Sequence, residues 1–166
     1  MSPPRLLTPH LRVSSVTQLS LARLGDLGLD SLLLDADCTL TRYGVCEVGA
    51  EVAAWLAQAR QGGIGLCLLS NGMGGRIRRL AERLDLPFVA RACKPLPWGC
   101  WAAIRKMGFN PARTALVGDQ IFADVMAARL AGVTAILVEP MHPEDEPWLT
   151  RLKRRPERFV LRRLPP

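Results

Sequence analysis

The chain has 166 residues, of which 49% are hydrophobic, so it can fill one core but is short for several domains. Lysine and arginine outnumber aspartate and glutamate by 22 to 15, which gives a formal net charge of +7. No apolar run approaches the roughly 20 residues that cross a bilayer as a helix, and the first residues lack an uninterrupted signal-peptide core, so we expect one cytoplasmic domain.

Strand and helix signals alternate along the chain. The first two strands are predicted at Ser31–Leu34 and 64–69, where apolar runs are short enough to be buried on both faces. Apolar residues at helical spacing predict a helix between them, over 48–60. Such alternation predicts an α/β fold with a mostly parallel sheet between two layers of helices. The later elements are a helix over 74–84, a short apolar run at 88–90, a helix over 97–107, a strand over 114–117, a helix over 122–130 and a strand over 134–138.

Two carboxylates follow the first predicted strand. Asp35 and Asp37 are separated by one residue, so in an extended segment both side chains point into one small volume beyond the strand end. Such acids repel each other, and without a cation or a shared proton one of them is forced toward the neutral form. The alternative is a polar strand exit whose acids only support a turn.

Polar groups also stand at the ends of later strands. Ser70 and Asn71 follow the second strand, Lys94 follows the short run at 88–90, and a Gly-Asp pair ending in Asp119 follows the strand at 114–117. In open parallel α/β sheets, ligands collect at the carboxyl ends of the strands. We therefore expect these side chains to form one site.

Each of these residues also has a structural interpretation. Ser70 could cap a helix, and Lys94 could be a solvated loop charge. Asp119 could support a turn, and Asp124, five residues later, could interact with the positive end of its own helix.

The set of motifs resembles the haloacid dehalogenase-like (HAD) phosphohydrolase superfamily. The family pattern is Asp-x-Asp-x-Thr, then Ser or Thr, then Lys, then Gly-Asp followed by another Asp, and residues 35–39, Ser70, Lys94, 118–119 and Asp124 match it in this order.

More narrowly, residues 70–71, 91–95 and 118–125 resemble the YqeG-like branch of the family, which includes phosphatidylglycerophosphate phosphatases. Cys38 is a departure, because these proteins commonly have Asn there.

The resemblance implies a three-layer, Rossmann-like fold. Many family members carry a cap domain after the first or the second motif, but 40–46 and 72–92 are too short to hold one, so we expect none. Residues 1–166 are expected to form a single HAD-like domain, with 1–29 as an N-terminal extension and 143–166 as a basic C-terminal segment.

The resemblance also implies the chemistry. Asp35 is expected to attack phosphorus and form an aspartyl-phosphate, and Asp37 to act as the general acid and then the general base. A dianionic phosphate beside several carboxylates requires a cation, and Mg²⁺ prefers such oxygen ligands. The expected metal ligands are Asp35, the backbone carbonyl of Asp37, Asp119 and Asp124, and the expected substrate-binding residues are Ser70, Asn71 and Lys94.

Three functions fit these motifs. The first is dephosphorylation of phosphatidylglycerophosphate to phosphatidylglycerol, and the second is hydrolysis of a soluble sugar phosphate or nucleotide. The third is a non-enzymatic phospho-acceptor module like a response-regulator receiver. Receivers place the accepting aspartate on a later strand than their paired acids, which disfavours the third function.

The positive charge is concentrated near the C-terminus. Residues 151–166 contain seven basic residues and one acid, so this segment accounts for most of the net charge of +7. Apolar residues are interleaved with the basic ones, a mixture suited to the surface of an anionic membrane. Nucleic-acid binding is a weaker alternative, and a solvated arm is another. Pro156 is expected to break any single long helix here. The oligomeric state stays open.

Overall fold

The computed structural model describes residues 5–146 and 148–162. In this part of the chain, six parallel strands form one sheet in the order β1-β6-β5-β2-β3-β4. The strands are β1 (Leu11–Val13), β2 (Ser31–Leu34), β3 (Gly65–Leu69), β4 (Phe88–Val89), β5 (Thr114–Gly118) and β6 (Thr134–Val138). The α-helices are α1 (Leu21–Asp26), α2 (Ala50–Gln61), α3 (Gly74–Leu84), α4 (Trp98–Met107), α5 (Met126–Ala131) and α6 (Trp148–Leu161).

The order of the strands reverses at β2. From β2 the chain adds β3 and β4 on one side and then β5 and β6 on the other. The register pairs Leu34 with both Leu68 and Val117, so β2, β3 and β5 end at nearly the same level. Their carboxyl ends therefore meet at the switch point, where α/β proteins bind ligands.

The sheet separates two hydrophobic cores. On β2, Leu32 and Leu34 face the core that contains Trp55 of α2 and Ile77 of α3. Leu33 faces the opposite core, which α4 and α5 cover. Successive strand residues point to opposite faces, so the apolar run is buried on both sides. The predicted three-layer fold, with a mostly parallel sheet and helices on both faces, is confirmed.

The edge strand β1 has no counterpart among the predicted elements. It pairs with β6 in register from Leu11 with Ile136 to Val13 with Val138. His10 extends this edge, since its Nδ1 accepts a hydrogen bond from the backbone N–H of Ala135 at 2.9 Å. The division of the chain into a domain, an extension at 1–29 and a basic segment at 143–166 stays a prediction.

Two helical segments differ from expectation. The helix predicted over 122–130 begins with a π-helical turn, Ile121–Val125, and continues as α5. The expectation that Pro156 breaks any long helix is wrong, because α6 continues through it. A proline removes the hydrogen bond to the carbonyl four positions earlier, here that of Leu152, and the helix continues past this gap to Leu161.

The described residues contain no cap domain. The connection from β2 to α2 holds no helix or strand, and only α3 and β4 lie between Ser70 and Lys94. None of the described helices is long and apolar enough to cross a membrane.

Candidate active site

Three carboxylates converge at the switch point. Asp35 directly follows β2, Asp119 directly follows β5, and Asp124 lies on the π-helical turn after it. One oxygen from each lies within 4.8 Å of the others, and all three residues are buried. The parallel register of β2 and β5 brings the first two together. The three aspartates whose carboxylates were expected to bind the metal therefore lie within reach of one ion.

Lys94 lies among these acids. Its Nζ donates to Asp35 Oδ1 at 2.5 Å, to Asp124 Oδ1 at 2.6 Å and to the backbone carbonyl of Leu69 at 3.0 Å. All three ammonium hydrogens therefore have protein acceptors. Burial lowers the pKa of Lys94, but the adjacent Asp124 and Asp35 raise it by more, so the net shift is upward. The interpretation of Lys94 as a solvated loop charge is wrong.

The acids outnumber the cations in this buried cluster. Burial raises the pKa of Asp35 to about 8, against the opposing effect of Lys94, and Asp124 and Asp119 raise it further. One ammonium group thus faces three carboxylates. A hard divalent cation with oxygen ligands would balance this charge, and the donor set fits such an ion.

Asp37 faces the same cavity but has other partners. Its Oδ1 accepts a hydrogen bond from the backbone N–H of Gly44 at 3.0 Å, and its Oδ2 forms an ion pair with Arg76 of α3. The cavity holds about 500 Å³, and Ser70 and Lys94 also line it. The carboxylate of Asp37 is therefore placed beside the acidic cluster rather than within it.

Arg76 is absent from the predicted site residues. A cation in the first turn of a helix opposes the helix dipole, and Arg76 is the third residue of α3. This unfavourable position is the signal in the sequence that could have identified it. Tyr43 and Met73 also line the cavity without having been predicted.

Ser70 and Asn71 shape the loop after β3. Ser70 Oγ accepts a hydrogen bond from the backbone N–H of Gly72 at 3.0 Å. Because α3 begins only at Gly74, Ser70 does not cap that helix. Both ends of the Asn71 amide are bonded to the backbone of Lys94, at 2.9 Å to its carbonyl and 2.8 Å from its N–H. Asn71 therefore fixes the segment that carries the lysine.

Asp119 and Asp124 have additional partners that fix their orientation. Thr39 Oγ1 donates to Asp119 Oδ1 at 3.2 Å, which supports the acid from the β2 loop. Asp124 Oδ2 accepts a hydrogen bond from the backbone N–H of Gln120 at 3.1 Å. Asp124 thus bonds its own turn with one oxygen and Lys94 with the other, so its structural and site roles coexist.

Glycine at position 118 is required by the approach of Asp124. A Cβ built on Gly118 would lie 2.2 Å from Asp124 Cγ and 2.4 Å from its Oδ2. We expect Gly118→Ala to displace this carboxylate and to lower both the affinity of the site for Mg²⁺ and its catalytic activity by about tenfold or more. Titration calorimetry with Mg²⁺ and steady-state rates measure the two effects. Gly25→Ala, where a Cβ would meet nothing within 4 Å, is the matched control. Wild-type Mg²⁺ affinity in Gly118→Ala would contradict the requirement.

A family model described as haloacid dehalogenase-like hydrolase matches residues 13–132. The chain is 26% identical over 153 residues to "Probable phosphatase YqeG" of Bacillus subtilis (strain 168), covering 92% of this chain and 88% of the relative. It is 37% identical over 105 residues to "Phosphoserine phosphatase" of Thermus thermophilus, covering 57% of this chain and 42% of that relative.

Solved structures share the fold at lower identity. The cobalt-bound form of the deoxy-D-mannose-octulosonate 8-phosphate phosphatase YrbI from Haemophilus influenzae superposes with a TM-score of 0.52 at 14% identity. The match covers 82% of this chain and 90% of that one.

Proposed function

The chain belongs to the haloacid dehalogenase-like hydrolase family and is a phosphatase, and we propose that it is a Mg²⁺-dependent phosphomonoesterase whose substrate is phosphatidylglycerophosphate. One observation carries the chemical part of the proposal. Asp35, Asp119 and Asp124 bring carboxylate oxygens to within 4.8 Å of one another at the switch point, beside the buried Lys94.

Asp35 is the proposed nucleophile. One of its carboxylate oxygens attacks phosphorus in line, the bond from phosphorus to the leaving oxygen breaks, and an aspartyl-phosphate forms. Lys94 holds Asp35 in place through its 2.5 Å contact. Ser70 and Lys94 are proposed to bind the non-bridging oxygens, where charge spreads in the transition state. Since all three Lys94 hydrogens already have acceptors, this requires the exchange of one protein contact for a phosphate oxygen.

Asp37 is the proposed general acid and base. In the first half of the reaction its carboxyl group gives a proton to the leaving alkoxide, which departs as the alcohol. In the second half it takes a proton from water, whose oxygen attacks phosphorus and releases phosphate and free Asp35. Asn71 is proposed to act on the substrate only through the loop that it fixes.

Mg²⁺ is the proposed metal, with Asp35, Asp119, Asp124 and the backbone carbonyl of Asp37 as its ligands. It would supply a positive charge that lets a phosphate dianion enter a cluster of carboxylates. The excess of acids over Lys94 in the buried cluster supports this assignment.

The lipid substrate rests on three observations. The site is not covered by a cap in the described residues, the Bacillus subtilis relative matches nearly the whole chain, and the helix α6 exposes large apolar side chains. These are Trp148 at 70%, Leu152 at 50% and Phe159 at 56% exposure. With the basic residues of the segment, α6 is proposed to contact an anionic membrane surface. The alternative substrate is a soluble sugar phosphate or nucleotide, which would be hydrolysed by the same chemistry. It is supported by the structural neighbour from Haemophilus influenzae, which is a phosphatase of deoxy-D-mannose-octulosonate 8-phosphate.

A substrate panel tests the proposal. Phosphate release is measured with Mg²⁺ on phosphatidylglycerophosphate in mixed micelles, and on glucose 6-phosphate, adenosine monophosphate and phosphoserine in solution. We expect the lipid to have the highest kcat/KM, by about tenfold or more, because the uncovered site admits a phosphate that protrudes from a surface. A soluble ester that exceeds the lipid by the same margin would replace the lipid substrate and leave the phosphatase assignment in place.

A further inference from the structure

Arg76 lines the candidate cavity beside Asp37, the residue proposed to protonate the leaving group. Its guanidinium pairs with Asp37 Oδ2, and both side chains are largely buried, 20% and 17% exposed. The two residues are 39 positions apart in the chain and are brought together by the loop after β2 and the first turn of α3. Because Asp37 is proposed to protonate the leaving oxygen, its partner lies on the leaving-group side of the cavity.

The surroundings of Arg76 are built to hold a guanidinium at this place. A Cβ on Gly72 would lie 3.0 Å from Arg76 Nη2, so the guanidinium packs directly on the glycine backbone. Arg76 Nη1 also donates to the carbonyl of Val45 at 3.5 Å. The side chain lines the same cavity as Asp35 and Lys94.

The pairing with Arg76 competes with the proposed proton transfer, because both oxygens of Asp37 already accept hydrogen bonds, Oδ2 from Arg76 and Oδ1 from the backbone N–H of Gly44. A carboxyl oxygen that gives its proton to a leaving alkoxide has to face that alkoxide, whereas Asp37 Oδ2 faces Arg76. When the pair opens, a largely buried guanidinium loses its counter-charge, which is costly unless another anion replaces it. Guanidinium groups bind phosphate and carboxylate oxygens with two parallel hydrogen bonds, so either anion would suit.

We propose that Arg76 binds a second anionic group on the leaving alcohol, so that the enzyme selects phosphomonoesters whose alcohol carries a phosphodiester or a carboxylate. Arg76 exchanges Asp37 for this second anion when the substrate binds, which releases Asp37 toward the leaving oxygen. This inference rests on the proposed phosphomonoesterase chemistry of the same site. It adds a specificity residue that acts on the alcohol rather than on the transferred phosphoryl group.

Two substrate pairs test the selection. Dihexanoyl phosphatidylglycerophosphate and 3-phosphoglycerate carry a second anion, whereas 4-nitrophenyl phosphate and glycerol 3-phosphate do not. We compare kcat/KM for the esters whose alcohol carries a second anionic group with kcat/KM for the esters whose alcohol carries none. In Arg76→Gln the ratio of these two values should fall by about tenfold or more, chiefly through a higher KM for the first class. In Arg79→Gln, an exposed arginine of the same helix, the ratio should stay within about twofold. Arg76→Lys keeps the positive charge but loses the two parallel N–H donors of the guanidinium, and it should give an intermediate ratio.

Product inhibition provides a readout that does not depend on proton transfer by Asp37. Dihexanoyl phosphatidylglycerol retains the phosphodiester but has no transferable phosphate, and its inhibition constant should rise by about tenfold in Arg76→Gln. Equal losses on both substrate classes with an unchanged inhibition constant would overturn the inference, because Arg76 would then act only on Asp37. A wild-type enzyme that shows no preference for esters whose alcohol carries a second anionic group would overturn the inference too.

The test separates this inference from the lipid proposal. If 3-phosphoglycerate is hydrolysed in an Arg76-dependent manner and the lipid is not, the lipid proposal fails and the inference stands. If the lipid is the best substrate and its advantage in kcat/KM over 4-nitrophenyl phosphate is the same in wild type and in Arg76→Gln, the inference fails and the lipid proposal stands.

Discussion

Asp35→Asn is expected to abolish phosphate release, with kcat lower by about three orders of magnitude or more. The amide has nearly the shape of the carboxylate but is a poor nucleophile, and it offers one good oxygen to a cation where the carboxylate offers two. Because Asp35 is buried beside Lys94, an isosteric substitution preserves the packing while removing the reactive oxygen. A continuous assay with 4-nitrophenyl phosphate and Mg²⁺ measures the effect.

Asp26→Asn removes one negative charge from an exposed position of α1 and should retain wild-type rates. Trapping the intermediate sharpens the comparison. Brief exposure of the wild type to labelled substrate followed by acid quench should leave the label on the protein, and Asp35→Asn should show none. Substantial turnover or labelling in Asp35→Asn would assign the nucleophile to another residue.

The same variant tests the electrostatics of the metal-free cluster. The pKa of Asp35 is raised from 3.8 to about 8, chiefly by burial, so between these values the native state holds a proton that the unfolded state has lost. The protonated form of Asp35 therefore favours the native state fully below pH 3.8. This contribution to the free energy of unfolding decreases as the pH rises and is lost above about pH 8. In EDTA, therefore, the Tm of the wild type should fall relative to that of Asp35→Asn between about pH 4 and pH 8. A constant difference would contradict the raised pKa.

The central part of the fold could be predicted because local signals agree with tertiary contacts there. Residues 32–34 of β2 are an uninterrupted apolar run that is buried on both faces. The apolar residues of α3 lie on one face of the helix, and this face packs against the core. The alternation of these elements implies the parallel sheet. The site residues then follow from the rule that polar groups at strand ends meet, and the structure brings Asp35, Asp119 and Lys94 together.

The features that were not predicted depend on contacts far apart in the chain. β1 has three residues, with an exposed arginine in the middle, and only its pairing with β6 makes it a strand. Arg76 reaches Asp37 across 39 positions, and no periodicity encodes that pairing. α6 continues through Pro156 while its neighbour Glu157 accepts a hydrogen bond from the backbone of Phe122 at 3.1 Å. In each case a tertiary contact decides the outcome.

Cys38 shows how a single residue can depart from a family pattern without changing the site. Its φ is 61°, a left-handed conformation in which Asn is more common than other side chains except glycine. Its backbone N–H donates to the carbonyl of Thr41 at 2.8 Å, and its carbonyl accepts from Met141 at 2.7 Å. The left-handed conformation therefore suits the Asn that the family resemblance leads one to expect at this position. Both hydrogen bonds use main-chain atoms of residue 38, so the loop that carries Asp37 keeps these contacts when the side chain is cysteine.

Lys94→Met should be the most destabilising substitution in the site. The side chain is 2% exposed and contacts Asp35 and Asp124, so its removal leaves two buried carboxylates facing each other and Asp119. Loss of one partner from a buried ion pair costs about 3 to 5 kcal/mol, which lowers the Tm of a chain of this size by about 10 °C. Methionine retains the volume of the aliphatic stem, so the loss reflects charge rather than a cavity.

The ionic environment should change the size of this loss. Mg²⁺ would replace part of the missing positive charge, so the Tm difference between Lys94→Met and wild type should be larger in EDTA than in excess Mg²⁺. Lys106→Met makes the same change at an exposed lysine over the ring of Phe88 and should cost about 1 kcal/mol or less. Differential scanning fluorimetry on wild type, Lys94→Met and Lys106→Met, in EDTA and in excess Mg²⁺, measures these Tm differences. An unchanged Tm for Lys94→Met in EDTA would mean that Lys94 does not neutralise the cluster, and the electrostatic basis of the site would have to be sought in another cation.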